Sequence, residues 1–165
     1  MDDETRLFVR QHSDRLQGKV LEIGSYNVNG GIKDIIPVTV GTDLRKGPGV
    51  DLVCPVERLR EHFDASHFDA CVSLGTLEHV ENWKSFFAVT WDLVRDGGWL
   101  VMTMAARHKG RHNYPSDYWR FDAEQLRSLY PAAEWIGDVG KVSIGWVVQK
   151  MGDMGSMDFT PGRVK

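Results

Sequence analysis

The sequence has 165 residues, 42% of them apolar, and a formal net charge of −3. This suits one domain with a real core, and the negative balance argues against a general polyanion binder such as a nucleic-acid module. No apolar run approaches the roughly 20 residues that span a bilayer, and the polar, acidic start is not a secretory signal.

The elements follow in chain order. Residues 3–17 read as a helix with Leu7, Phe8 and Leu16 apolar and Gly18 as its stop. Lys19 to Gly24 is a buried strand ending in glycine. A glycine- and asparagine-rich turn and a short helix before Pro37 lead to a second strand, Val38 to Asp43. Val50 to Cys54 is a third strand, broken by Pro55, and Arg58 to Phe63 a helical turn. Phe68 to Leu74 is a compact apolar fourth strand. Trp83, Phe86, Phe87, Thr90 and Val94 keep helical spacing up to Gly97-Gly98. Trp99 to Ala105 is the fifth strand, and 106–120 a long loop of cations and aromatics. Asp122 starts a helix as its cap, with Gln125 three residues on and Phe121 poised against Leu126; Pro131 stops it. Glu134 to Val139 and Val142 to Val148 form a hairpin about Gly140-Lys141. Residues 1–150 thus read as one domain, and 151–165, rich in Gly, Met, Asp and Pro, as a mobile tail. Cys54 and Cys71 lie in strand-like segments without metal-site spacing, so they read as reduced thiols of a cytoplasmic protein.

Strand and helix alternate through five strands, which predicts an α/β, doubly wound, mostly parallel sheet. The terminal hairpin forces one strand to run antiparallel. Ligands of such sheets sit beyond the carboxyl ends of the strands. Gly24 lets a ligand approach the backbone there, and the Glu22 carboxylate can hold a cation. Asp43 ends the second strand 19 residues after Gly24, where a carboxylate can accept hydrogen bonds from both ribose hydroxyls of an adenosine.

Three stretches carry a resemblance: Leu21-Glu22-Ile23-Gly24, Leu77-Glu78-His79-Val80 after the fourth strand, and Arg95-Asp96-Gly97-Gly98-Trp99-Leu100 entering the fifth. In this order the chain resembles the class I S-adenosylmethionine-dependent methyltransferases over residues 18–150, closest to the small enzymes acting on metabolites, glycans and lipids. The resemblance implies a Rossmann-like, seven-stranded sheet and S-adenosylmethionine as cofactor. It places Glu22, Gly24, Ser25 and Tyr26 on the cofactor loop. It puts Asp43 at the ribose, Leu44 and Cys54 by the adenine, and Ser73 and Leu74 by the methionine part. Two departures stand out: Tyr26 replaces the second glycine of the usual turn, and Pro55 stands where an acid often meets the adenine amine.

The loop Arg107 to Phe121 should wall the acceptor side, as its cations and aromatics suit a small polar or glycan-like acceptor. Tyr118, Trp119 and Phe121 can equally fix the loop to the core. His108 and His112 lack the further ligands of a zinc site. A methyl acceptor that must lose a proton needs a base; His79, His112 and Tyr118 are the candidates, with His108 and Asp117 behind them. Two other readings share the fold: a non-catalytic adenosyl-ligand binder and a nicotinamide-dependent oxidoreductase. The oxidoreductase is opposed by the absence of a lysine four residues after any tyrosine.

Overall fold

Short apolar runs bury both faces only inside a parallel sheet covered by helices, and that is the arrangement here. The protein, seen as a computed structural model, is described over residues 2–27, 30–110 and 116–164. The strands are β1 (Val20–Ile23), β2 (Val38–Asp43), β3 (Leu52–Val53), β4 (Phe68–Leu74), β5 (Val94–Ala105), β6 (Trp119–Arg120), β7 (Trp135–Val139), β8 (Ser143–Gln149) and β9 (Gly162–Arg163). Seven of them form one sheet in the order β3-β2-β1-β4-β5-β8-β7, in which β8 alone runs antiparallel. The pair β6 and β9 makes a separate antiparallel ribbon.

The pleat sends alternate residues to two layers. Leu21, Ile23, Cys71, Leu100 and Met102 pack with α2 (Trp83–Leu93) and α3 (Ala123–Leu129). Val20, Ala70, Val72 and Val101 pack with Phe8 and Val9 of α1 (Asp3–Gln11). Helices thus cover both faces. The capping box of α3 forms as its spacing predicts: the Gln125 amide donates to Asp122 at 2.9 Å and the Asp122 amide to Gln125 Oε1 at 3.1 Å. Phe121 and Leu126 flank it, fully buried. No helix among the described residues is long and apolar enough to cross a membrane.

Several boundaries differ from those expected. The helix over 3–17 stops at Gln11, and Ser13–Arg15 is a single tight turn. The Ser13 hydroxyl donates to the Arg10 carbonyl at 2.9 Å, a local bond that competes with helix continuation. Among the described residues no helix forms between β1 and Pro37; the Ile35 and Ile36 amides share the Ile32 carbonyl in one turn. Proline disfavours helical backbone in the residue before it, so the turn does not propagate. Strand β5 begins at Val94, not Trp99, and Gly97-Gly98 lie in a register irregularity opposite Phe68 and Ala70. A side chain at Gly98 would strike the Asp69 carbonyl. The hairpin connection holds three residues, since Val139 pairs with Ser143.

The segment read as a mobile tail lies along the core over its described part, to residue 164. Met154, Met157 and Phe159 pack against the α2/α3 layer, and Phe159 stacks on Trp83 with centroids 5.2 Å apart. The Gly155 amide donates to Leu129, and the Val164 amide to Tyr118. Three apolar side chains spaced along an otherwise polar stretch suffice, because each finds its own slot and needs no helical period.

Candidate active site

The carboxyl ends of β1 and β4 face a cavity of about 230 Å³. Its lining includes Glu22, Gly24, Ser25, Tyr26, Leu74 and Gly75. Gly24 has φ +81°, and a Cβ there would collide with the Thr76 hydroxyl. Only glycine takes this backbone without strain, and the sharp exit from β1 depends on it. The Gly24 and Ser25 amides both donate to the Thr42 carbonyl, at 2.8 and 3.0 Å, which ties the exit to β2. On the far side of the loop, Arg6 of α1 donates to the Gly31 carbonyl at 2.7 Å and pairs with Asp34.

Glu22 is the electrostatic feature of the cavity. It is 8% exposed, and its carboxylate has no hydrogen-bond partner among the described residues. Burial, partly offset by Lys33 and reinforced by Asp51, raises its carboxyl to about 7. A carboxylate held this way is poised for a cation that enters the cavity.

The other sequence-predicted residues spread along the same edge. Asp43 ends β2 outside the cavity lining; its carboxylate accepts from the Tyr26 amide at 3.3 Å and the Arg45 amide at 3.0 Å. An ionised carboxylate has acceptor capacity beyond two donors. Leu44 beside it is 68% exposed, and Val53, its neighbour on β3, 51%. Cys54 is buried next to them, its thiol pushed up by desolvation, and its amide donates to the Asp43 carbonyl. The Ser73 hydroxyl donates to the Ile23 carbonyl at 3.1 Å, so it braces β1 against β4. Tyr26, in place of the usual glycine, lies on Gly47 with the Arg45 guanidinium 4.7 Å from its ring centroid.

His79 sits in the turn after β4, and its Nδ1 meets the Ser116 carbonyl at 2.9 Å. Tyr118 is half-buried; its amide donates to the Glu78 carbonyl at 2.7 Å. The described end of the loop that follows β5, from Ser116 on, is therefore fixed to the same edge as Gly24 and Leu74, although none of the loop's described residues lines the cavity. Its aromatics act mainly as anchors: Phe121 is fully buried and Trp119 donates to the Val80 and Glu81 carbonyls. Arg107 pairs with Asp122, and His108 donates to the Lys141 carbonyl. His112 lies outside the described residues.

Four lining residues were not anticipated: Asp2 and Thr5 at the start of α1, Thr103 on β5 and Ser143 on β8. The Asp2–Thr5 capping spacing was the one local signal; the Thr5 amide donates to Asp2 Oδ1 at 2.7 Å. Nothing local announces that this helix end reaches the sheet edge.

Comparison with known proteins relates this fold to others. Residues 34–102 match a family described as a methyltransferase domain. Among solved structures, the chain is similar to a Burkholderia thailandensis 1,6-didemethyltoxoflavin-N1-methyltransferase with bound 1,6-didemethyltoxoflavin and S-adenosylhomocysteine. The TM-score is 0.69 at 16% identity, covering 90% of this chain and 79% of that one. It is also similar to an S-adenosylmethionine-dependent methyltransferase of Archaeoglobus fulgidus, with TM-score 0.65, 10% identity, and coverage of 88% and 93%. A Thermotoga maritima structure titled a possible histamine N-methyltransferase gives TM-score 0.64, 16% identity, and coverage of 88% and 89%. No curated protein matches the sequence. The structural likenesses establish the fold, and the family match spans the chain from the turn before β2 into β5. The chain thus shares the fold of these methyltransferase structures, and residues 34–102 of it match a methyltransferase-domain family.

Proposed function

We propose that the protein moves a methyl group from S-adenosylmethionine to an oxygen or nitrogen atom of a small polar or glycan-like acceptor. The observation that carries this reading is the buried Glu22 carboxylate, without a hydrogen-bond partner among the described residues, in a cavity that Gly24 also lines. It suits an ammonium group. Asp43 would accept hydrogen bonds from two ribose hydroxyls, and the exposed Leu44 and Val53 side chains would meet one face of an adenine. The Burkholderia neighbour, which holds S-adenosylhomocysteine and a small molecule together, supports the same assignment.

When bound, the cofactor supplies a methyl group on a sulfonium whose leaving thioether needs no proton. The chain's own residues therefore mainly orient the two partners and exclude water. An acceptor that sheds a proton needs a base. His79 is the candidate at the edge of the sheet, with Tyr118 beside it and His112 in the same loop. Titration calorimetry tests the reading: S-adenosylmethionine and S-adenosylhomocysteine should bind with micromolar Kd. No binding of either, with NADH binding instead, would overturn it.

Glu22 also gives the binding a pH dependence. Its carboxyl, raised to about 7, is mostly protonated at pH 6 and mostly ionised at pH 8. Only the ionised form attracts an ammonium, so cofactor affinity should rise about tenfold from pH 6 to pH 8. Stability runs the other way. The folded chain keeps a proton that the unfolded chain releases above about pH 4.5, so stability falls as pH climbs toward 7 and is level above it. Glu22→Gln should flatten both profiles; equal slopes in wild type and variant would remove Glu22 from the ammonium site.

A further inference from the structure

Asp117 and Arg120 form an ion pair whose side chains are 0% and 3% exposed. It is bidentate, with Nη1 donating to Oδ1 at 2.5 Å and Nη2 to Oδ2 at 2.6 Å. The same guanidinium donates to the Gly110 carbonyl at 3.1 Å and the Trp119 carbonyl at 2.8 Å. Burying such a pair is expensive in desolvation, and Phe121 and Trp119 already anchor the loop. The pair also lies within the stretch that fastens this loop to the turn after β4.

Asp117 stands between two residues that grip the turn after β4. Ser116 offers its carbonyl to His79 Nδ1, and Tyr118 donates its amide to the Glu78 carbonyl. Glu78 Oε1 in turn accepts the Ala105 amide at 2.9 Å at the end of β5. A carbonyl can only accept, so the Nδ1 facing Ser116 must carry the hydrogen. In the neutral ring the lone pair then falls on Nε2. A histidine in water favours the opposite tautomer, with the hydrogen on Nε2.

We infer that Asp117 and Arg120 are a positioning pair that holds the Ser116 carbonyl on His79, and so fixes the ring as the tautomer whose Nε2 accepts a proton. The inference rests on the methyltransferase reading only for the use of that proton acceptor; the tautomer itself is a property of the chain. Glu78, which burial pushes toward its neutral form, His79, Asp117 and Arg120 are among the titratable groups gathered around this turn.

Imidazole 15N spectra of the full chain above pH 8, where histidine rings are neutral, test it without any acceptor. In the wild type, His79 should be dominated by the Nδ1–H form; a dominant Nε2–H form overturns the proposal at once. Arg120→Lys keeps the charge but loses the bidentate fork. The double change Asp117→Asn with Arg120→Gln leaves no unpaired buried charge, which guards against simple unfolding. In either folded variant the Nε2–H share of His79 should rise severalfold, while the Kd for S-adenosylhomocysteine stays within about twofold. A folded variant with an unchanged His79 tautomer makes the pair a structural fastening and ends the proposal. Failure of the wild type to bind S-adenosylhomocysteine, with the tautomer as expected, would instead strike the cofactor assignment alone.

Discussion

Deleting residues 152–165 is expected to lower the melting temperature by about 10 °C. Met154, Met157 and Phe159 are half-buried against the α2/α3 layer. Full burial of such a side chain is worth about 1.5–3 kcal/mol, so three half-buried ones contribute on the order of 3–4 kcal/mol together. In a domain of this length each kcal/mol moves Tm by roughly 2–4 °C. The deletion also removes the partner of Trp83, which stacks on Phe159, and the backbone bonds from Gly155 to Leu129 and Val164 to Tyr118. Thermal unfolding followed by circular dichroism decides it. A shift under 2 °C would mean that the segment contributes nothing to the folded state.

Asp43→Ala should weaken S-adenosylhomocysteine binding by tenfold to a hundredfold. Hydrogen bonds to a charged acceptor are worth about 1.5–3 kcal/mol, which is that range in affinity. The carboxylate is exposed on one side and held on the other by the Tyr26 and Arg45 amides, so its removal loosens a turn without opening the core. Tm should fall by no more than about 3 °C. Asp43→Asn, which keeps one acceptor oxygen, should lie between wild type and alanine. Calorimetry showing equal Kd for all three would leave Asp43 as a brace for its own turn.

How much of this was legible depends on the range of the interactions. Phe68–Leu74 is a strand at the bounds its apolar run suggests, because a short run in which five of seven residues are buried suits a strand covered on both faces. The α3 capping box is equally local and is read from Asp122 and Gln125 alone. The mostly parallel sheet with one antiparallel strand follows from alternation plus one terminal hairpin, whereas the strand order β3-β2-β1-β4-β5-β8-β7 is not written in the sequence. What escaped is set by partners far away in sequence. Strands β6 and β9 have two residues each and exist only through each other. Gly97-Gly98 looks like a helix stop, yet Leu93 has already ended α2 and the glycines serve a register shift. Asp117 and Arg120 look like solvated loop charges until the tail and the turn after β4 close over them. At the site, Glu22, Gly24 and Leu74 share one cavity as their strand ends suggest. Asp2, Thr5 and Ser143 come from elements whose direction toward that edge no local pattern encodes.

The strand order also governs how the chain reaches this state. Strand β1 lies between β2 and β4, and its Val20 pairs with Ala70, fifty residues away. Loop closure over such a span must precede any reward from pairing, and parallel strands form no hairpin that could nucleate them. Refolding is expected to take milliseconds to seconds, slow for a chain of this size beside a helical bundle. The Ile23 carbonyl, on which Ser73 and Thr76 both converge, is satisfied only after that closure. The ligand edge is thus among the last parts of the molecule to be completed, and a ligand that waits for it slows unfolding rather than hastening folding.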